Sequence, residues 1–207
     1  MSTLKLYRHP LSGHAHRAQL LLSILGLDAD IINVDLMNGE QKQVEFLNKN
    51  IFGQVPVLED AEVTIADSNA ILVYLASQYD PQHTWLPIEP AQAAEVQRFL
   101  SVASGPIVSG PGTARLINLF GAKLDHVKAI ENSHNTLKIL DKYLAQYDWL
   151  VGNSPTIADL ANYTYIAHAP EGDVSLKEYP NINLWLQRIE QLPGFVPMQA
   201  SKVGLAA

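Results

Sequence analysis

The chain has 207 residues and a formal net charge of −7 at pH 7, and its basic residues are scattered, which argues against nucleic acid or an anionic membrane as a partner. Hydrophobic residues make up 47% and charged residues 17%, which excludes a disordered chain. Cysteine is absent, which excludes a disulfide, a thiolate nucleophile and any cysteine-ligated zinc or iron–sulfur site, so the sulfur of any sulfur chemistry must come from a ligand.

The N-terminal residues pass directly into a strand pattern, without the apolar segment of a signal peptide. No uninterrupted apolar run approaches the roughly 20 residues that cross a bilayer. We therefore expect a cytoplasmic protein with no membrane partner.

Short apolar runs alternate with helical patterns over the first eighty residues. Residues 4–7 predict a strand, and the apolar positions that follow predict a helix. Residues 31–34 form a second, β-branched run, and a polar helical pattern covers residues 40–48. A hairpin over residues 55–66 and a helical stripe ending at Tyr79 complete the order β-α-β-α-β-β-α. This order predicts a small α/β layer domain with a mixed sheet.

A change in composition follows at residues 80–90, which carry three prolines and are typical of a linker. Beyond them only helical periodicity appears, so the second domain is predicted to be all-helical. Residues 104–112 are rich in glycine and proline, which predicts a bend in a helix. They lack the Lys-Ser/Thr ending of a phosphate-binding loop, so that alternative is excluded. The predicted division is a first domain over 1–80, a linker over 81–90 and a helical domain over 91–207.

A helix start is predicted near residue 155, where Thr156 and Asp159 have the spacing of an N-terminal capping box. We interpret this pair as a folding signal for one buried helix.

Ser12 lies between the first predicted strand and the first predicted helix, where helix N-terminal amides favour an anion. Its hydroxyl can donate a hydrogen bond to a ligand thiolate but cannot act as a base. Lowering a thiol pKa from about 8.5 by two units corresponds to roughly 2.7 kcal/mol of thiolate stabilisation. The alternative is that Ser12 only caps the helix, and the local sequence by itself favours that cap.

Two further positions have polar or backbone features suited to a ligand. Gln54, Val55 and Pro56 open the third strand, where a proline belongs at a strand start or a special turn. Asp67 and Ser68 begin the third helix, where Ser68 and the first amides can bind a carboxylate. N-capping is the alternative for Asp67, and locally it is the favoured interpretation.

Taken together, these stretches resemble the cytosolic glutathione transferase family along essentially the full chain. The resemblance is to serine-type members, phi-like and theta-like, and to their bacterial relatives. The matching stretches are residues 6–17, 39–48, 52–60, 66–71 and 156–159.

The resemblance implies a thioredoxin-like N-terminal domain with a mixed four-stranded sheet that binds glutathione, followed by an all-helical C-terminal domain that forms the electrophile pocket. It also implies a homodimer and no metal. By position, Ser12 matches the residue that stabilises the thiolate, and Val55 before a cis-Pro56 matches the residue whose backbone pairs with the cysteinyl unit. The other glutathione-binding positions are Asp67 and Ser68 for the γ-glutamyl end, and Lys42 and Gln54 for the glycyl carboxylate and the backbone.

The sequence departs from the family pattern at several positions. Gln41 stands where phi-like members often have histidine, and Ile51 replaces a common proline. His14 is close enough in sequence to Ser12 to share the catalytic site as a thiolate donor, although a helix-surface histidine is the favoured alternative. A metal site from His9, His14 and His16 is disfavoured, because histidines two positions apart diverge on a helix.

Residues of the helical half are assigned to the electrophile pocket only by their type, since aromatic residues at helical spacing are more often core. These are Arg115, Phe120, Tyr163, Tyr165 and His168. Phe52 is an apolar loop residue, and the resemblance implies that it matches the residue that inserts between subunits in related dimers. The alternative is that it packs within its own domain.

The leading function is conjugation of the glutathione thiolate to small, largely hydrophobic electrophiles. The alternatives are a glutathione-binding interaction module with little turnover, and a glutathione-dependent peroxidase or dehalogenase. A glutaredoxin-like exchanger needs a protein cysteine, and a serine hydrolase needs a Gly-x-Ser-x-Gly elbow that Ser12 lacks.

Overall fold

The computed structural model describes residues 4–207, and Met1, Ser2 and Thr3, which the sequence assigns to the first domain, lie outside the described residues. The described chain divides into two units. The first extends to His83 and includes Pro193–Gln199; the second comprises Thr84–Leu192 and Ala200–Ala207.

A mixed sheet forms the centre of the first unit, and its strand order is β2-β1-β3-β4. Strand β1 pairs in parallel with β2 and antiparallel with β3, which in turn pairs antiparallel with β4. In this register Leu6 is flanked by Ile31 on one side and Leu58 on the other. The strands are Leu4–Arg8 (β1), Ala29–Asn33 (β2), Val57–Asp60 (β3) and Val63–Ala66 (β4).

Helices of the first unit follow the predicted order, with α1 packed against α3. Their bounds are Gly13–Ile24 (α1), Val44–Leu47 (α2) and Ser68–Tyr79 (α3). Leu21 of α1 and Leu72 of α3 are completely buried, as are Leu6 and Leu58 of the sheet. The mixed sheet and its helices confirm the expected thioredoxin-like domain.

The single polar helix predicted over residues 40–48 is wrong in one respect. A short 3₁₀ turn, Glu40–Lys42, precedes α2, and Gln43 between them is extended, with φ −78° and ψ 155°. An extended residue cannot continue an i to i−4 hydrogen-bond ladder, so the segment is divided into two short turns.

The second unit is helical, as predicted, and none of the helices among residues 4–207 is long and apolar enough to cross a membrane. Short 3₁₀ turns at Ala169–Gly172 and Gly204–Ala206 accompany its helices. The helices are Pro90–Ser104 (α4), Thr113–Phe120 (α5), His126–Leu144 (α6), Ile157–Ala167 (α7) and Pro180–Glu190 (α8).

The predicted bend lies between α4 and α5, where Val108–Gly112 forms a π-helical turn. Gly110 in this turn approaches α6 so closely that an added Cβ would lie 3.0 Å from the Cα and backbone nitrogen of Ser133. A side chain has no room there, which explains the glycine.

The predicted capping box at the start of α7 is confirmed. Thr156 Oγ1 accepts from Ala158 N at 3.2 Å, and Asp159 Oδ2 accepts from Thr156 N at 2.9 Å. The other oxygen of Asp159 accepts from Leu150 N at 3.0 Å and from Trp185 Nε1 at 2.9 Å. The buried carboxylate therefore joins α7 to α8 and to the preceding loop, which the local motif does not predict.

Candidate functional site

Ser12 is the N-cap of α1. Its Oγ accepts from Ala15 N at 3.2 Å, and its backbone is extended, with φ −84° and ψ 114°. Capping uses a lone pair of the hydroxyl oxygen and does not consume the O–H proton. The first turn of α1 contains no acidic residue, so the partial positive charge of its amides is not offset locally. Ser12 can therefore cap the helix and also donate a hydrogen bond to a thiolate, so the two interpretations of Ser12 do not exclude each other.

Val55 precedes a cis peptide bond to Pro56, as the resemblance implied. Strand β3 begins at Val57, so its ladder with β1 and β4 does not include Val55. The backbone of Val55 consequently lies at the end of the sheet, where an extended ligand can pair with it.

Asp67 caps α3 by accepting from Asn69 N at 2.8 Å and from Ala70 N at 3.0 Å. Its backbone has φ 76° and ψ 129°, a region that residues with a side chain rarely adopt. Such strain costs on the order of 1–3 kcal/mol and collects at ligand sites. The turn presents Ser68, which is only 3% exposed, at the first position of the helix.

His14 contacts this helix start directly, because its Nδ1 lies 3.2 Å from Ser68 Oγ. Arg17, one turn further along α1 and completely buried, donates from Nη1 to Ser68 Oγ at 3.5 Å and to Asn69 Oδ1 at 3.0 Å. Burial and the charge of Arg17 lower the pKa of His14 to about 3. His14 is therefore neutral near pH 7 and forms part of a contact between the starts of α1 and α3 rather than an exposed surface histidine.

Lys42 binds the loop that leads to the third strand. Its ammonium donates to Phe52 O and Gly53 O, each at 3.1 Å. An ammonium has three donors, so one remains for a further acceptor such as a carboxylate. Gln54 is exposed, and its carbonyl accepts from Asn50 Nδ2 at 2.8 Å. The side chain of Lys42 is thus tied to the loop that carries Gln54.

The two positions that depart from the family pattern, Gln41 and Ile51, differ in their contacts. Gln41, where phi-like members often have histidine, donates from Nε2 to Leu36 O at 3.4 Å. Ile51 and Phe52 are both highly exposed, Phe52 by 72%. Phe52 is therefore not packed within its own domain, which was the alternative to a role between subunits.

The histidines near Ser12 engage different partners. His16 is buried, and its Nε2 lies 2.8 Å from Val196 O, whereas His9 Nδ1 accepts from Leu11 N at 3.3 Å. Among residues 4–207, no three or more His, Asp or Glu side chains are grouped so that they could hold a metal ion.

Tyr7, a hydroxyl-bearing residue of β1, donates to Glu59 Oε2 at 2.9 Å. Glu59 also binds the ammonium of Lys49, which lies 4.8 Å from the centre of the Tyr7 ring. Burial and Glu59 raise the pKa of the Tyr7 hydroxyl. The Tyr7 hydroxyl is therefore a hydrogen-bond donor to the Glu59–Lys49 ion pair.

In the second unit, most of the residues assigned to the electrophile pocket are held by carboxylates. Arg115 Nε donates to Glu171 Oε2 at 2.6 Å, and His168 Nδ1 lies 2.8 Å from Glu171 Oε1. Tyr163 donates to Glu190 Oε1 at 3.0 Å.

Tyr165, by contrast, is partly buried, and Phe120 is 41% exposed. Phe120 thus has the most accessible surface of the set.

The structure brings Ser12, His14 and Ser68 to adjoining helix starts, and it ties Lys42 to the loop that carries Gln54. Arg17 ends the matching stretch 6–17 but was assigned no role from the sequence, and Glu171 was not predicted at all. Arg17 lies three positions after His14, so helical spacing places both on one face of α1 and offers a signal. Glu171 lies in the short 3₁₀ turn after α7, and no sequence pattern would have identified it.

Comparisons with known proteins identify the family of this chain. The family described as "Glutathione S-transferase, N-terminal domain" matches residues 2–77, and "Glutathione S-transferase, C-terminal domain" matches residues 106–193. Glutathione S-transferase 3 of Zea mays is 33% identical over 208 residues, covering 94% of this chain and 92% of that protein.

Solved structures give the same result. A glutathione S-transferase from Pseudomonas fluorescens superposes with a TM-score of 0.89 at 32% identity, covering 95% of this chain and 99% of that one. A glutathione transferase homolog from Drosophila mojavensis, solved with bound glutathione, has a TM-score of 0.85 at 30% identity and covers 93% and 90%. With both family domains and a full-length relative matched, this chain belongs to the glutathione S-transferase family.

Proposed function

We propose that this glutathione transferase joins the glutathione thiolate to small, largely hydrophobic electrophiles. The observation that carries the proposal is the geometry of Ser12. It caps α1 through a lone pair and keeps its O–H proton beside a helix N-terminus that lacks an acidic residue. A charge-assisted hydrogen bond and the helix amides both favour a thiolate over a thiol at that position.

Glutathione would lie along the first unit, with its ends held at different elements. Asp67 and Ser68 at the start of α3 would bind the γ-glutamyl end, and the backbone of Val55 before cis-Pro56 would pair with the cysteinyl unit. The remaining donor of Lys42, together with Gln54, would bind the glycyl end. The glutathione bound to the Drosophila mojavensis homolog, at 30% identity, supports this ligand.

The reaction needs no covalent enzyme intermediate. The thiol proton of glutathione leaves to solvent, and the sulfur lone pair forms the new bond to the electrophilic carbon. In a substitution the leaving group departs with its bonding electrons; in an addition the adjacent carbon takes a proton from water. Ser12 lowers the barrier by holding the thiolate in place and stabilising its charge until the electrophile arrives.

The helical unit would supply the electrophile pocket. Phe120, with its exposed ring, is the member of the assigned set best able to touch an apolar substrate. The polar members of the set would support the pocket wall without contacting the substrate, because carboxylates already bind their side chains; they are Arg115, Tyr163 and His168. The exposed Phe52 supports a homodimer, and we expect the protein in the cytoplasm.

The test is a pH titration of glutathione bound to the wild type and to Ser12→Ala, with thiolate absorbance in the ultraviolet as the signal. We expect the pKa of the bound thiol to rise in the variant. An unchanged titration would remove Ser12 from the mechanism.

A panel of aryl halides, epoxides, organic peroxides and haloalkanes then decides among conjugation, peroxidase and dehalogenase activity. Tight glutathione binding without turnover on any of them would indicate an interaction module.

A further inference from the structure

The hydroxyl of Ser68 lies between two nitrogen groups of α1. Arg17 Nη1 is 3.5 Å from Ser68 Oγ, and His14 Nδ1 is 3.2 Å from it. Ser68 is 3% exposed, so these contacts are shielded from solvent. The residue proposed to receive the γ-glutamyl carboxylate is therefore not an independent donor, because the direction of its one O–H depends on the hydrogen bond to His14.

The direction of each hydrogen bond follows from the chemistry of the groups. Arg17 can only donate, so the Ser68 oxygen accepts on that side. His14 is neutral near pH 7, since burial and Arg17 lower its pKa to about 3. A neutral imidazole carries one N–H, at either Nδ1 or Nε2. With the proton at Nε2, Nδ1 accepts the Ser68 proton; with the proton at Nδ1, His14 donates and the Ser68 proton is released for a ligand.

We propose that His14 is a positioning residue that acts through Ser68. In its Nδ1–H tautomer it donates to Ser68 Oγ and directs the Ser68 proton to the γ-glutamyl carboxylate of glutathione. The inference rests on the proposed function, because it needs glutathione at this site. It assigns His14 to recognition of the γ-glutamyl end, whereas the sequence suggested a second donor to the sulfur.

These two roles predict different kinetic signatures. A residue that orients Ser68 affects how tightly glutathione binds and leaves the ionisation of its thiol alone. A donor to the sulfur would change the pKa of the bound thiol and the rate of the chemical step.

The variants are His14→Leu, which fills a similar space without a polar atom, and His14→Asn, whose amide nitrogen can reach the position of Nδ1. For His14→Leu we expect the KM for glutathione to rise about tenfold, as the loss of one buried hydrogen bond implies. We expect kcat and the pKa of the bound thiol to stay at their wild-type values. His14→Asn should recover most of the affinity. A raised thiol pKa in His14→Leu would overturn the inference and make His14 a sulfur partner.

A glutathione analogue that lacks the γ-glutamyl α-carboxylate separates orientation from general packing. Wild type and His14→Leu should bind this analogue equally, because the group that Ser68 would contact is missing. If His14→Leu weakens glutathione and the analogue by the same factor, His14 has only a packing role and the inference fails. Thermal unfolding of both variants checks that they fold.

The wild-type protein gives a test that needs no substitution. Nitrogen-15 NMR of the His14 ring reports the tautomer directly, and we expect Nδ1 to be protonated in the glutathione complex. A complex that keeps the proton at Nε2 would contradict the inference. If the wild type neither binds glutathione nor turns over an electrophile, the proposed function itself fails; if it does both and His14→Leu matches it, only the role of His14 fails.

Discussion

Arg115 Nε donates to Glu171 Oε2 across 2.6 Å, and both side chains are only 3% exposed. Glu171 also accepts from Ser201 N at 2.9 Å and contacts His168 Nδ1. Burial raises the pKa of Glu171, but the hydrogen bonds from His168, Ser201 and Arg115 outweigh it, and the pKa lies below its ordinary range. One carboxylate thus joins α5, the end of α7 and the C-terminal segment of the second unit.

Removing this carboxylate should be costly. Glu171→Ala leaves the Arg115 charge buried without its partner, and we expect the free energy of unfolding to fall by about 3–5 kcal/mol. Chemical denaturation measures the loss. The control is Glu95→Ala, which breaks the Glu95–Arg98 pair, where both side chains are 51% exposed, and should cost at most about 1 kcal/mol. Equal losses in the two variants would contradict the special role of Glu171.

The two functions of Ser12 can be separated by substitution. Ser12→Ala should lower the free energy of unfolding by about 1 kcal/mol, because it removes the helix cap. It should also raise the pKa of the thiol of bound glutathione, because it removes the hydrogen-bond donor to the thiolate. Ser12→Asp keeps a good cap but lacks the O–H and adds a negative charge. We expect near wild-type stability with a raised thiol pKa. If Ser12→Asp leaves the thiol pKa unchanged, the hydroxyl is not the thiolate donor.

Gly53 lies against Lys42 with no room for a side chain. Its φ is 56°, and a Cβ there would lie 2.5 Å from Gln41 O and 3.0 Å from Lys42 Nζ. Gly53→Ala should displace the ammonium and raise the KM for glutathione by about threefold to fivefold, the value of a partly exposed charge contact. Gly39→Ala is the matched control, since Gly39 has φ 75° but nothing within 4 Å of a Cβ. A KM change of the same size in both variants would point to backbone strain rather than to Lys42.

His14 should make the stability depend on pH. Its pKa lies below its ordinary value of 6.5, at about 3, because of burial and Arg17. Between these limits the unfolded chain binds a proton at His14 that the folded chain does not bind, so the free energy of unfolding falls as the pH falls. Burial lowers the pKa of His168 too, so it contributes in the same direction. His14→Asn should therefore flatten the pH dependence only in part, as measured by denaturation from pH 7 to pH 4. An unaltered slope would show that His14 takes up its proton in the folded state.

Asp159 should contribute more to the free energy of unfolding than an ordinary helix cap does. Asp159→Ala leaves Leu150 N, Thr156 N and Trp185 Nε1 buried without their acceptor, and we expect a loss of at least about 3 kcal/mol in the free energy of unfolding. Asp125→Ala removes only the exposed cap of α6 and should cost about 1 kcal/mol. The prediction fails if urea denaturation gives the same loss for both.

Much of the fold was predictable because it depends on local periodicity. The order of strands and helices along the first unit, the helical second unit and the cap at Thr156 all follow from apolar spacing and from side-chain groups near their own backbone. The failure at residues 40–48 has the same origin, since a polar helical pattern does not reveal that Gln43 is extended.

The sequence by itself determined that the chain has no thiol, that Ser12 stands at a helix start, and that several of its stretches resemble the glutathione transferase family. Only the tertiary structure decided the partners of His14 and Arg115. His14 meets Ser68 across 54 positions and Arg115 meets Glu171 across 56. Such contacts depend on how α1 packs on α3 and how α5 packs on the turn after α7, and no spacing within a single helix specifies them. Ser12 as a cap is a local property of the chain, whereas the orientation of the Ser68 hydroxyl arises only when two distant helix starts are brought together.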